Sequence, residues 1–303
     1  MEKTTTTPAN TGSAGLFSRL ARKKDSLIDS LVPGWTDNRI ESRLFVPGNR
    51  DAKAVRVPRG FRQFNMKTSD GKITAYETGK GPTVVFVHGW SGSASQFFPL
   101  MRGLAQCGFR SVSFDHLGHG SSDRKPATLH QTIATTNHVL DKVKHGKDGL
   151  CAVVGHSTGC IEIAAARNAL VRDLPLFLIS PVFNYKLFFL KKLVKLNLHA
   201  DTVKKYANGF AKAYRSEYQK LELARNLDKY SDTTVIAHDE SDSESSIEDS
   251  IRFCAKYPLT KLLTTKACDH VMIINSESVW QQLKSHLNYD DTSTNITAEV
   301  VYR

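Results

Sequence analysis

The sequence predicts an α/β fold, a mostly parallel central sheet flanked by helices and carrying a helical insertion. Three observations predict it. Short continuous apolar runs recur at Thr83–Val87, Ser111–Phe114, Val153–Val154, Leu174–Ser180, Thr233–Ala237 and Lys261–Thr265, and runs of this length read as strands buried on both faces. Helix-compatible stretches fall between them, around 93–106, 128–145, 158–171, 245–256 and 276–287; strict alternation argues for parallel crossovers that cover both sides of a sheet. The residues able to do chemistry stand just beyond the C-terminal ends of predicted strands.

Along the chain, residues 1 to about 14 are rich in Thr, Ala, Gly and Ser and read as disordered. Leu16, Phe17, Leu20, Leu27, Ile28 and Leu31 then lie among basic residues, a weakly amphipathic segment suited to docking on the body or lying on a membrane surface. Residues 33–60 read as an arm, so the chain divides into a basic extension, 1–59, and a main domain, 60–303. After Ser180 about fifty residues pass before the next strand. In that segment Phe189, Leu193 and Leu196 share a helical face, and Tyr206, Phe210, Tyr214 and Tyr218 recur every four residues. Stripes at this spacing usually pack a helix onto its neighbours, although aromatics here could also line a pocket.

Composition narrows the class. The 303 residues are 40% hydrophobic and 23% charged, as expected of a globular chain long enough for one large domain. No apolar run approaches the ~20 residues that span a bilayer, and the polar start lacks the apolar core of a secretory signal. Five cysteines without paired spacing read as free thiols in a reducing compartment, so the cytoplasm is the expected location. Asn295-Ile296-Thr297 matches a glycosylation acceptor but carries no weight without secretion. The net charge is +11, and residues 181–230 hold eleven Lys or Arg against four Asp or Glu. Nucleic acid is not an expected partner, because no binding-module pattern accompanies the charge; peripheral contact with an anionic membrane surface is admitted.

The most informative motif is Val153-Val154-Gly155-His156-Ser157-Thr158-Gly159, a strand running into Gly-x-Ser-x-Gly with a helix-compatible stretch behind it. That turn lifts the Ser157 hydroxyl above the sheet at a helix N-terminus, and Gly155 and Gly159 permit it by lacking Cβ atoms. Upstream, Thr83–Val87 ends in His88-Gly89-Trp90, and Ser111–Phe114 ends in Asp115-His116-Leu117-Gly118-His119-Gly120-Ser121-Ser122. Downstream come an acidic loop with Asp242 and, after the last strand, Asp269-His270. The order is serine, acid, histidine.

From about residue 61 to residue 287 this arrangement resembles the α/β-hydrolase family, in its serine esterase and lipase-like branch with a helical cap. The resemblance implies an opening hairpin over Asn65–Thr78, turning at Ser69-Asp70-Gly71, and a cap over 183–230. Ser157 would be the nucleophile and His270 the base that takes its proton. An acid holds the imidazole tautomer. Family members often read strand, His-Gly, two residues, Asp; His238-Asp239-Glu240-Ser241-Asp242 matches, with Asp239 where glycine is usual. Asp242 is therefore the expected acid and Asp239 the runner-up. The backbone N–H of Thr158 would serve the oxyanion, joined, by resemblance to the family's His-Gly loop, by that of Trp90.

His88, His116 and His119 read as structural loop residues, His156 as a packing or orienting one, and His130, His138 and His145 as surface residues on a helix. No His, Asp and Glu set has metal-ligand spacing, so neither metal nor cofactor is expected. The expected activity is cleavage of a small-molecule acyl ester through an acyl-enzyme. Acyl transfer, thioester hydrolysis and carbon–carbon bond hydrolysis on the same residues stay open, as does a noncatalytic ligand-binding role. Epoxide hydrolysis and dehalogenation are disfavoured, because those relatives carry aspartate where Ser157 stands.

Overall fold

The computed structural model describes residues 55–144, 148–166, 174–196, 198, 200–227 and 233–288. The expectations for the amphipathic segment 16–32, most of the arm, His145, the end of the 158–171 helix and the tripeptide 295–297 lie outside the described residues.

The strands are β1 (Arg62–Lys67), β2 (Lys72–Thr78), β3 (Thr83–Val87), β4 (Arg110–Asp115), β5 (Leu150–His156), β6 (Leu176–Ile179), β7 (Thr234–Asp239) and β8 (Lys261–Thr265). They form one sheet of eight, ordered β1-β2-β4-β3-β5-β6-β7-β8. β2 is antiparallel to β1 and to β4, and the pairings from β4 across to β8 are all parallel. The hairpin expected over Asn65–Thr78 is the β1–β2 pair. Thr68 closes it: its N–H and its hydroxyl each donate to the Gly71 carbonyl, both at 2.8 Å.

The helices follow as α1 (Phe98–Gln106), α2 (Leu129–Lys144), α3 (Gly159–Ala165), α4 (Tyr185–Lys195), α5 (Ala200–Ala213), α6 (Leu223–Leu227), α7 (Ile247–Lys256), α8 (Asp269–Met272) and α9 (Glu277–His286). Alternate strand residues face opposite sides of a sheet, and here each side has its own core. Val85, Val87, Val153 and Ile236 join residues of α2 to α7 on one face. Val84, Phe86, Val154 and Val235 join α1 and α9 on the other. This explains why the inner strands read as unbroken apolar runs: both faces are covered.

Between β6 and β7 the described residues carry α4, α5 and α6. The Asn184 side chain starts α4 by accepting from the Leu187 N–H at 2.9 Å, one of the donors that a helix start leaves without a partner. The two aromatic stripes meet each other. Phe189 stacks on Phe210 with centroids 3.8 Å apart, and Tyr218 lies against Tyr185, Phe210 and His130. Tyr206, Phe210, Tyr214 and Tyr218 are all buried. The stripes are packing. His130, expected at the surface, is exposed but lends its ring to this cluster.

Chain order and strand order part company at β3, which has β4 on one side and β5 on the other. In open α/β sheets the crevice at the carboxyl ends of the strands, beside such a switch point, is where ligands bind. One position tests the packing that holds the sheet. Trp280, 1% exposed, fills the space left by the missing side chain of Gly103 across the α9–α1 contact. Trp280→Ala is expected to lower unfolding free energy by about 3–5 kcal/mol in urea titrations; a loss under about 1 kcal/mol would show that this contact is dispensable.

Candidate active site

At the end of β5 the chain makes a turn that few residues accept. Ser157 has φ +56°, in the left-handed region, which costs a non-glycine residue roughly 1–3 kcal/mol and persists only where neighbours enforce it. The enforcement is visible. The Ser157 N–H donates to the Ile179 carbonyl at 3.0 Å, and its carbonyl accepts from the Cys160 N–H at 3.2 Å. Gly155 and Gly159 serve by close approach. A Cβ on Gly155 would stand 2.7 Å from Ile163 Cδ1, and one on Gly159 2.4 Å from the Val87 carbonyl oxygen. Gly89 presses equally hard, since its Cβ would meet Ser157 Cβ at 2.6 Å. The sequence marks Gly89 only as part of the His-Gly loop after β3; its close approach to Ser157 is a tertiary feature.

The structure brings Ser157, His270 and Asp242 together from three loops. His270 Nε2 lies 2.9 Å from Ser157 Oγ, and its Nδ1 lies 2.7 Å from Asp242 Oδ2. An ionised carboxylate only accepts, so Nδ1 carries a proton, and in the neutral ring the Nε2 lone pair faces the serine O–H. The Asp242 side chain is fully buried. Burial opposes its charge, but bonds from His238, His270 and the Ser245 N–H outweigh burial and hold the carboxyl well below the usual carboxylate range. Oδ1 also accepts from the Glu244 and Ser245 N–H groups at 2.8 and 3.0 Å. His238 and Ser245 were absent from the sequence-derived site. Their contribution depends on a loop fold that spacing does not reveal, although His238 stood in the recognised pattern.

Asp239 does something else. It accepts from Thr265 Oγ1 at 2.6 Å, from the Cys268 N–H at 3.0 Å and from the Ser241 N–H at 2.9 Å. It stitches the loop after β7 to the loop after β8 and has no contact of this kind with His270.

The remaining histidines hold loops. His156 Nε2 lies 2.8 Å from the His270 carbonyl, and its Nδ1 3.2 Å from the Gln96 amide nitrogen; a ring protonated on Nε2 satisfies both, and it anchors the backbone of His270. His88 donates from Nδ1 to the Gly89 carbonyl at 2.8 Å and accepts the His116 N–H at Nε2 at 3.2 Å. His119 Nδ1 donates to the Leu117 carbonyl at 2.9 Å. His116 Nε2 sits 2.8 Å from Glu162 Oε2, within ion-pair range but off the angle of a hydrogen bond. Asp115 ties the loops together, accepting the Ala94 N–H at 2.8 Å and the Ser121 N–H at 2.9 Å. Trp90, half-buried, sets its ring edge-on to His119, and its N–H donates to Thr158 Oγ1 at 2.8 Å. Among the described residues no backbone carbonyl accepts the Thr158 N–H, and no cluster of three His, Cys, Asp or Glu could hold a metal ion.

Chemically, the arrangement offers a hydroxyl beside an imidazole, a buried carboxylate fixing its tautomer, and a backbone donor at a helix N-terminus. It also makes the fold acid-sensitive. Burial holds the His88 imidazole well below its ordinary value and pushes His119 and His156 down to about 3. In the unfolded chain each protonates near ~6.5. Below that pH the unfolded state binds protons that the native state refuses, so stability falls as pH drops toward the folded values. These three groups together contribute a slope approaching roughly 4 kcal/mol per pH unit. Urea midpoints at about pH 7.5 and about pH 5 should therefore differ sharply, and equal midpoints would show that these rings titrate freely in the native state.

The comparisons agree with this geometry at the level of family and fold. A profile of the alpha/beta hydrolase family matches residues 84–243. An epoxide hydrolase of Caballeronia sordidicola is 28% identical over 101 residues, 33% of this chain and 31% of that protein. An sn-1-specific diacylglycerol lipase of Danio rerio is 31% identical over 126 residues, 39% of each chain. The chain thus spans under two fifths of the length of either relative. Among solved structures, Est1E from Butyrivibrio proteoclasticus, with ferulic acid bound, superposes with a TM-score of 0.58 at 21% identity, covering 74% of this chain and 99% of that one. That likeness is one of fold. With the profile spanning more than half of its length, and the sheet order and serine turn in agreement, the chain belongs to the alpha/beta hydrolase family.

Proposed function

We propose that this hydrolase cleaves carboxylic esters of small molecules through a Ser157–His270–Asp242 triad and an acyl-enzyme. One observation carries the reading: the unbroken hydrogen-bonded chain from Ser157 Oγ through both ring nitrogens of His270 to Asp242. As Ser157 Oγ attacks the ester carbonyl carbon, His270 Nε2 takes the hydroxyl proton, and Asp242 stabilises the imidazolium without itself being protonated. The carbonyl oxygen becomes an oxyanion received by the Thr158 N–H. Collapse expels the alkoxide, which leaves as the alcohol with the proton from His270. Water, deprotonated by the same nitrogen, then attacks the acyl carbon and releases the acid.

We assign the main domain to 60–303 and a cap role to 183–230. Support comes from the lysines of α4. Lys191 Nζ donates to the Ser243 and Glu244 carbonyls at 3.1 and 3.3 Å, and Lys192 and Lys195 pair with the Glu244 carboxylate. The helix is thereby tied to the loop that carries Asp242. Free thiols at all five cysteines favour a reducing, cytoplasmic setting, and no helix among the described residues is long and apolar enough to cross a membrane. We also infer peripheral contact with anionic membranes. On α4 the exposed Leu187 and Val194 lie seven residues apart on one face beside the exposed Lys186, and Val271 and Met272, next to His270, are half exposed.

Two experiments test these assignments. A fluorophosphonate should label the protein promptly. Labelling should vanish in Ser157→Ala, while Asp242→Asn lowers turnover of a p-nitrophenyl ester by roughly 10⁴-fold and Asp239→Asn acts mainly on stability. An unlabelled native protein points to ligand binding without chemistry; labelling with turnover of thioesters alone moves the substrate class. In flotation assays, vesicles containing phosphatidylserine should carry the protein and neutral phosphatidylcholine vesicles should not. Leu187→Asp with Val194→Asp should weaken the binding, and equal flotation on both vesicle types excludes the membrane assignment.

A further inference from the structure

The second N–H of the oxyanion site is already engaged. Trp90 N–H, which the resemblance assigns to the oxyanion, donates instead to the side chain of Thr158 at 2.8 Å. Thr158 is 4% exposed, so its hydroxyl meets protein rather than bulk water. A hydroxyl that accepts one bond still has a proton to give, and among the described residues no group takes it. The residue follows the nucleophile directly, and the approach of Gly89 to within 2.6 Å of Ser157 Cβ, were it to carry a Cβ, brings the Trp90 loop against the same turn.

We propose that the Thr158 hydroxyl is itself an oxyanion donor. The inference rests on the ester-hydrolase reading and deepens it. The Trp90 N–H polarises the hydroxyl, which strengthens the bond that the hydroxyl gives in turn. The tetrahedral oxygen then receives two donors from one residue, the N–H and the O–H of Thr158, with Trp90 as the support behind them. The rival arrangement has Thr158 swing aside so that Trp90 N–H reaches the oxygen directly. That requires a buried β-branched side chain to leave a restricted rotamer and its hydroxyl to lose its hydrogen-bond partner. The relay requires neither movement.

The test compares Thr158→Val, which keeps the shape without the hydroxyl, Thr158→Ser, which keeps the hydroxyl, and Thr158→Ala, which opens space over the Trp90 N–H. The measurements are the second-order rate of fluorophosphonate reaction at Ser157, and kcat and KM for a p-nitrophenyl ester, with thermal melts to verify folding. A relay predicts rates in the order native, then serine, then alanine, then valine. Thr158→Val should lose roughly 10²- to 10³-fold in kcat with little change in KM, and Thr158→Ser should stay within about tenfold of native. Alanine equal to or faster than native shows that the hydroxyl only obstructs the site, and valine equal to native shows that it donates nothing; either overturns the inference while leaving the hydrolase reading intact. A native protein that never reacts at Ser157 overturns both.

Discussion

The bond between His270 Nδ1 and Asp242 decides which ring nitrogen holds the proton, and the proposed chemistry depends on that decision. With the other tautomer the imidazole would present an N–H to the serine and could not accept its proton. The protein invests heavily in this one carboxylate. It removes Asp242 from solvent, which alone would favour the neutral acid, and then returns more than it removed through two backbone N–H groups, a hydroxyl and a second histidine. A carboxylate so held cannot turn away from His270 without leaving several buried donors without partners.

The serine side of the site is governed by steric closeness. Ser157 sits in a backbone conformation that its side chain disfavours, and the glycines around it let β3, α3 and the loop after β3 crowd the turn. The same crowding carries the Trp90 N–H onto the Thr158 hydroxyl, so the proposed oxyanion site and the strained turn arise from one packing arrangement.

Around this centre lies a set of buried imidazoles. His88, His119 and His156 are neutral rings used as directional linkers between loop backbones, which a longer polar side chain could not match at the same volume. The consequence is a native state that resists protonation where an unfolded chain welcomes it.

Much of this was legible in the sequence. The apolar runs at Thr83–Val87 and Thr233–Ala237 read as strands because a doubly covered strand has no polar face to show. Ser157 stood out because Gly-x-Ser-x-Gly behind a strand is a local pattern. Local patterns survive in a sequence because torsions and periodicity act over a few neighbours. The choice between Asp242 and Asp239 was different. Asp239 ends β7 and Asp242 stands three residues on, each within hydrogen-bonding reach of a separate target, and only the path of the chain after β8 shows that Asp239 bonds Thr265 and Cys268 while Asp242 faces His270. Likewise nothing local marks Gln96 as the partner of His156, or the Thr158 hydroxyl as the acceptor of the Trp90 N–H. Composition and spacing by themselves determined the fold class and the residue types at the strand ends. Which of those residues meet, and through which atoms, was decided by tertiary structure, with hydrogen bonds joining segments up to 114 residues apart, a distance over which sequence carries no direct geometric information.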